Sequence, residues 1–351
     1  MPHLDAATLT AFCEALFIAA EVPPADARVV AANLVGANLR GHDSHGVMRA
    51  PQYIEFLEKG EYLRDVELKI DRETPAVVVC DGQWGLGQVQ AHRLLEKIIP
   101  KAKALGLGAG AARHCGHIGR LGEYAEKAAD HGLVLIASVN NDGGGQRVAP
   151  PGGTEGRLGT NPLCVGIPTA TEPVVLDFGT CVAAEGKVRV YYINDKKPVP
   201  EGWLIDHEGK PTTNPAVLYE APHGTILPMG GSQTYKGFGL ALILDMLAGG
   251  LTGGRSPYPG APPAKGNNVV FLALEPALFA GHDAMISEAT ALAEYVRGTP
   301  RAPGVESILL PGDPERMTLS QRSTQGIPIE AAHWQRLTTL AARLKVEVPE
   351  I

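Results

Sequence analysis

Two short segments concentrate side chains that could move protons or hold an anion. The first, Gly41-His42-Asp43-Ser44-His45-Gly46-Val47-Met48-Arg49, sets imidazoles beside a hydroxyl and a guanidinium. An imidazole titrates close to neutrality, which suits proton transfer. A planar guanidinium can grip a carboxylate through two parallel hydrogen bonds. Ser44 reads as a helix N-cap. A helix running on from it would align His45, Arg49 and Tyr53 at i, i+4 and i+8 on one face, although Pro51 would kink it. A capped helix with a solvated polar face would show the same residues. The second segment, Arg113-His114-Cys115-Gly116-His117-Ile118-Gly119-Arg120, lies between a predicted strand and a predicted helix. Strand-to-helix turns are where α/β proteins commonly bind ligands. Both segments contain H-x-x-H, but no further ligand stands at the spacing a zinc site uses, so no metal is expected.

The glycine-rich stretches are weaker. Gly82, Gly85 and Gly87 follow a strand and precede a helix, as a phosphate-binding turn would, but they read G-x-x-G-x-G rather than G-x-G-x-x-G. The strand after them, GAGAARH, carries no acid to hold a ribose hydroxyl. Gly106 to Gly110 closes a helix rather than opening one. Gly231 to Gly239 contains Lys236 just before an apolar helix, where a lysine can reach a phosphate. It lacks the P-loop frame, because Gly237 stands where a serine or threonine is required. Leu158-Gly159-Thr160-Asn161-Pro162 is a further polar turn.

The elements that must position these residues alternate between helix and strand, which indicates an α/β class. Helices are predicted over Asp5 to Ala20, from Pro23 or Pro24 to Arg40-Gly41, and from Ser44 toward Lys59. Val30, Leu34 and Ala37 form the inward face of the second. A strand at PAVVVCDG, a helix from Gln88 to Leu105, a strand from Gly108 to Arg113, a helix from Leu121 to His131 and the strand LVLIASV follow. Asn141 to Gly239 reads as loops with short extended runs, LCVGIPT and VVLDFG among them. Then come an apolar helix from Leu240 to Ala248 and a Gly/Pro-rich loop from Gly249 to Gly266, read as a surface excursion or partner contact. The strand VVFLALE, a helix from Ala284 to Arg297, the motif ILLPGDPER and a helix from Ile329 to Lys345 complete the chain. In the last helix Leu337, Leu340 and Leu344 form a face for packing onto the N-terminal helices.

Composition narrows the function classes. With 351 residues, 44% hydrophobic and 20% charged, the chain can bury a large core. Its 31 basic and 38 acidic residues give a net charge of -7, and no basic run marks a nucleic-acid or membrane footprint. An acidic protein that binds a carboxylate must capture it with local cations, which points to Arg49. Five scattered cysteines without C-x-x-C fit a reducing cytoplasm. The N-terminus lacks a signal-peptide pattern and no apolar run is long enough to span a membrane.

Taken in order, GHDSHGVMR, GHIG, LGTNP, VVLDFGT, PEGWLID, GKPTTNPA and KGFGLALILDMLAGGLTGG resemble the malate/L-lactate dehydrogenase family, whose fold is not the Rossmann one. GHIGR and LID-x-x-G-x-PTTNPA are most similar to its hydroxycarboxylate dehydrogenase branch. The resemblance implies an α/β fold with a family-specific mixed sheet that binds NAD or NADP, and a homodimer. It implies a helical domain from residues 1–75 and 300–351, and a cofactor- and substrate-binding region over 76–299. Its implied activity interconverts a small 2-hydroxy acid and its 2-oxo acid by hydride transfer. His45 would exchange the proton with support from Ser44, and Arg49 and Thr160 would hold the substrate. His117, Ile118, Gly119, Asp177, Phe178, Gly179, Lys236, Pro311, Gly312 and Asp313 would line the cofactor. In some members the histidine at the position of His117 is the base, so both assignments stand open. The cyclic imino acid reductases of the family use an acidic relay where this chain has Lys187 and Arg189, which ranks that activity second. A metal-dependent hydrolase built on the four histidines and a non-catalytic binding module are the alternatives from other classes.

Overall fold

The computed structural model describes residues 2–193 and 196–350. Strand β1 (His3–Leu4) leads into α1 (Ala6–Ala19), capped by the Asp5 carboxylate on the Thr8 N–H. Then come α2 (Pro24–Leu39), with proline in its first turn, and α3 (Ala50–Glu58). Val30, Leu34 and Ala37 of α2 are buried as their spacing predicts. The helix predicted to start at Ser44 does not form there. Asp43–His45 and Val47–Arg49 are separate 3₁₀ turns split by extended Gly46, and Pro51 lies in the first turn of α3, where proline is tolerated.

The central layer is a seven-stranded sheet in the order β2 (Lys69–Glu73), β3 (Val77–Asp81), β4 (Leu107–Gly116), β11, β5 (Val134–Asn140), β6 (Pro162–Ile167), β7 (Val174–Gly179), with β11 at Gly266–Leu274. Only β3 and β4 run parallel; every other neighbouring pair is antiparallel. This mixed sheet is not the parallel, doubly wound sheet that a G-x-G-x-x-G turn serves. Helices α4 (Gly87–Leu105), ended by left-handed Gly106, and α5 (Gly122–Asp130) cover one face. The glycines before α4 serve packing rather than a ligand. A Cβ at Gly82 would meet the Cys115 sulfur, and one at Gly87 would strike the Gly116 carbonyl.

A small lobe interrupts the sheet: α6 (Glu185–Ile193), then β8 (Leu204–Ile205), β9 (Pro211–Thr212) and β10 (Thr225–Ile226), around Val188, Leu204, Leu218 and Ile226. The sequence hid α6, because Val188, Val190, Tyr191 and Tyr192 are β-branched or aromatic and read as strand. Helix α7 (Tyr235–Thr252) is longer than predicted, its start masked by Gly237 and Gly239. It lies on the sheet face opposite α4, reaching β5 through the Asp245–Asn140 bond at 2.7 Å. Helix α8 (His282–Arg297) follows β11. Helix α9 (Asp313–Gln325) grows from the PGD turn; it is polar nearly all round and gave no apolar stripe to find. Strand β12 (Ile327–Pro328) pairs with β1, and α10 (Ala331–Leu344) packs Leu337 and Leu340 against α1 and α3, as its spacing predicts.

Candidate active site

Asn38 knits the His45 turn into shape. This 2% exposed residue donates to Asp43 at 2.6 Å and accepts the Val47 N–H at 2.8 Å. Arg322 of α9 fixes Asp43 from the other side at 2.7 and 3.1 Å. Gly46 must be glycine here, since a Cβ would collide with the Asn38 amide. A signal for Asn38 existed: it continues the apolar Val30, Leu34 spacing of α2, so it is a polar group on a core face.

The result is a cleft of about 610 Å³ onto which Ser44, His45, Arg49, Tyr53, His117 and Thr160 all open. The Ser44 hydroxyl lies 3.1 Å from His45 Nδ1. Arg49 donates from Nε to the Ser44 carbonyl at 2.7 Å and from Nη1 to Gln52 at 3.0 Å, and it forms no ion pair among the described residues. The two imidazoles stack with centroids 5.4 Å apart and 22° between planes. The helical face shared by His45, Arg49 and Tyr53 is replaced by this tertiary juxtaposition.

His117 is gripped on three sides. Its N–H donates to the Tyr62 hydroxyl at 2.9 Å, and Tyr62 in turn donates to the Lys265 carbonyl. Its Nδ1 receives the Gly119 N–H at 3.3 Å and lies 2.5 Å from the Tyr53 hydroxyl, which Gln88 also reaches at 3.3 Å. A backbone N–H can only donate, so Nδ1 is unprotonated and Nε2 carries the hydrogen. The Ser44 hydroxyl, in contrast, can donate to or accept from His45 Nδ1, so His45 is free to change its proton count. Burial, with the Arg49 charge second, pushes the His45 pKa down to about 3 and that of His117 well below the ordinary value. Burial likewise raises Tyr53 to about 12, so it stays a hydroxyl.

Several cleft residues were not foreseen. Arg147, Glu185 and Lys265 face it, with the Lys265 ammonium 4.2 Å over the Trp84 ring. The loop read as a surface excursion thus supplies Ala261 to Lys265 as one cleft wall. Lys187 is exposed, while Arg189 reaches the cleft paired to Glu185 at 2.8 Å. Of the predicted cofactor residues, His117 alone lines this cleft. The others except Lys236 form a strip leading away from it along edge strand β7. Thr180 N–H binds the Thr160 carbonyl at 2.9 Å, Asp177 accepts the Gly122 N–H of α5 at 2.7 Å, and Val175 N–H binds the Pro311 carbonyl at 3.2 Å beside Gly312 and Asp313. Gly179 and Phe178 connect the two ends; the Ile118 N–H is already taken by Asn267 at 3.0 Å. Asp313 is bound to Arg297 and Arg316. Lys236 stands exposed on the first turn of α7, apart from the cleft.

The profile of the malate/L-lactate dehydrogenase family matches residues 4–338. Hydroxycarboxylate dehydrogenase B of Escherichia coli O157:H7 is 38% identical over 347 residues, covering 97% of this chain and 94% of that protein. Malate dehydrogenase of Pyrococcus horikoshii is 36% identical over 333 residues, covering 93% and 91%. The solved structure of a putative malate/lactate dehydrogenase from E. coli superposes with a TM-score of 0.91 at 37% identity, over 100% of this chain and 97% of that one. With full-length likeness in both sequence and fold, this chain belongs to the malate/L-lactate dehydrogenase family of oxidoreductases.

Proposed function

We propose that this enzyme interconverts a 2-hydroxy acid and its 2-oxo acid with NAD or NADP, with His45 exchanging the hydroxyl proton and Arg49 holding the carboxylate. One observation carries the reading: an imidazole free to change its proton count and a guanidinium with no ion pair among the described residues open onto one cleft. A 2-hydroxy acid carries its carboxylate and hydroxyl on adjacent carbons, so clamp and proton acceptor must be close.

The residues suit a dinucleotide. In a chain of net charge -7, Arg147 and Lys265 bring to the cleft cations that form no ion pair among the described residues, and β7 offers an extended edge from Thr160 to the PGD turn. His117, Asp177–Gly179 and Pro311–Asp313 would hold it along that path; Lys236 would need to act from elsewhere in the assembly. The chemistry a bound nicotinamide supplies is uptake or donation of hydride at C2 of the acid. During oxidation, His45 Nε2 takes the hydroxyl proton and the Ser44 hydroxyl accepts the Nδ1 hydrogen of the resulting imidazolium. His117, whose Nε2 carries the ring hydrogen, would donate it to the substrate oxygen in the cleft. Arg49 keeps C2 in register through its guanidinium.

We also assign a homodimer. Apart from Lys236 at its start and the inward Asp245, helix α7 is apolar on both sides, and its outer side leaves Ile243 54%, Met246 56% and Leu251 55% exposed. A helix of that pattern is a buried helix, and a second copy of this face would cover it.

The test is to mix the protein with NADH or NADPH and a panel of 2-oxo acids plus one cyclic imino acid, following loss of the reduced-nicotinamide absorbance. Turnover of 2-oxo acids is expected. Turnover of the imino acid alone would replace this reading with imine reduction, and turnover of nothing would remove it.

A further inference from the structure

Asp245 is out of keeping with its surroundings. It stands on the inner side of α7 among Ala241, Leu244 and Ala248, is 2% exposed, and forms no ion pair among the described residues. A buried carboxylate without a counter-charge costs stability, so an apolar residue would seat this helix better. Its two oxygens instead collect two side-chain amides: Oδ1 accepts from Asn140 Nδ2 and Oδ2 from Asn161 Nδ2, each at 2.7 Å. Neither amide can turn over. Asn140 Oδ1 already accepts the Asp142 N–H at 3.1 Å, and Asn161 Nδ2 donates as well to the Ala241 carbonyl at 3.0 Å. Two fixed donors therefore face this position, and a carboxylate, unlike an amide of the same shape, offers each of them an acceptor.

Both amides lead to the cleft, although Asp245 itself lies outside its lining. Asn161 follows Thr160 of the cleft wall and holds a left-handed φ of 29° before Pro162. Asn140 precedes Asn141, also in the wall, and its carbonyl accepts from Asn267 Nδ2 at 3.0 Å. The Oδ1 of Asn267 in turn accepts the N–H of Ile118, next to His117, at 3.0 Å. Asn268 closes the cluster by donating to Asn140 Oδ1 at 2.8 Å. We infer that Asp245 is a positioning residue of this enzyme: from α7 it draws Asn161 and Asn140 together, and so sets the Thr160 side of the cleft against the His117 turn. The inference rests on the dehydrogenase reading above and adds to it a residue that acts from outside the cleft. A buried polar network with its donors matched to acceptors holds one arrangement, and a mismatch inside it is costly. A displacement of about 1 Å at the reacting groups can cost about a hundredfold in rate.

The experiment measures kcat, KM and Tm of the intact enzyme and three variants, with reduced dinucleotide and a 2-oxo acid that the wild type reduces. Asp245→Asn keeps the shape but turns an amide N–H toward one of the two donors. It should lower kcat by about ten- to a hundredfold in a protein that circular dichroism shows to be folded. Asn161→Gly keeps the left-handed turn, which glycine adopts freely, and cuts the tie on the Thr160 side alone. It should raise the KM of the acid several-fold with dinucleotide affinity unchanged in calorimetry, and it decides the matter if Asp245→Asn folds poorly. Combining Asp245→Asn with Asn140→Asp sets an acceptor opposite the new N–H and should exceed both single variants in kcat/KM, whereas a residue serving stability alone would move only Tm. Folded variants with wild-type kcat and KM, or a double variant no better than its parents, would overturn the inference and leave the dehydrogenase reading intact. A wild type that reduces no 2-oxo acid would overturn both.

Discussion

His45 and His117 stack at 5.4 Å, yet their surroundings give them different work. His117 Nδ1 is saturated by Gly119 and Tyr53, so adding a proton there would expel a backbone donor. His45 Nδ1 instead meets the Ser44 hydroxyl, which can reverse its role. His45→Gln should therefore lower kcat by about two to four orders of magnitude, the usual worth of a general acid or base, with dinucleotide affinity nearly unchanged. His117→Gln should weaken dinucleotide binding as well, measured by calorimetry. The opposite pattern would exchange the two roles. The pH profile has a definite sign. Burial and Arg49 lower the His45 pKa from 6.5 to about 3, so the free enzyme holds a neutral base throughout the ordinary range. In the oxidation direction, kcat/KM should show no histidine limb near pH 6.5 and should lose His45 as a base only as pH falls toward that low value. Residue types and the short His45–Arg49 spacing made these groups legible in the sequence. Tyr53, Tyr62, Gln88 and Asn38 were not seen as their supports, because those contacts are tertiary and leave no period in the chain.

At the scale of elements, the site depends on breaks rather than on regular structure. Gly46 interrupts what the sequence presents as one helix, and the interruption swings Arg49 back onto the Ser44 carbonyl. Long periodic segments such as α2, α4 and α10 were readable because their buried faces repeat at helical spacing. Helices α6 and α9 were not: one is rich in strand-forming residues, the other has no apolar face to reveal it. Helix α7 was readable as apolar, but only the structure divides it into an inner side holding Asp245 and an outer side that exposes Ile243, Met246 and Leu251. That outer side should be where two copies meet. Met246→Lys or Leu251→Asp should convert a dimer to a monomer in light scattering coupled to size exclusion. A wild type already monomeric at micromolar concentration, or dimeric variants, would place the contact elsewhere or abolish it.

Across the whole molecule, the mixed sheet explains why the glycine motifs depart from the dinucleotide fingerprint. With only β3 and β4 parallel, Gly82, Gly85 and Gly87 pack strand against helix instead of cradling phosphate, while the following turn delivers His117 to the cleft. In an acidic chain, Arg49, Arg147 and Lys265, which form no ion pair among the described residues, line one opening, a charge arrangement that suits an anionic substrate and cofactor. On this reading hydride passes directly between nicotinamide and C2 of an acid held there. The most direct test is to supply reduced dinucleotide deuterated at the transferring C4 position, together with a 2-oxo acid that the enzyme reduces, and to locate the deuterium by mass spectrometry and NMR. One deuterium per molecule is expected, at C2 of the hydroxy acid and on a single face. Product without deuterium at C2, or label distributed to solvent, would contradict it.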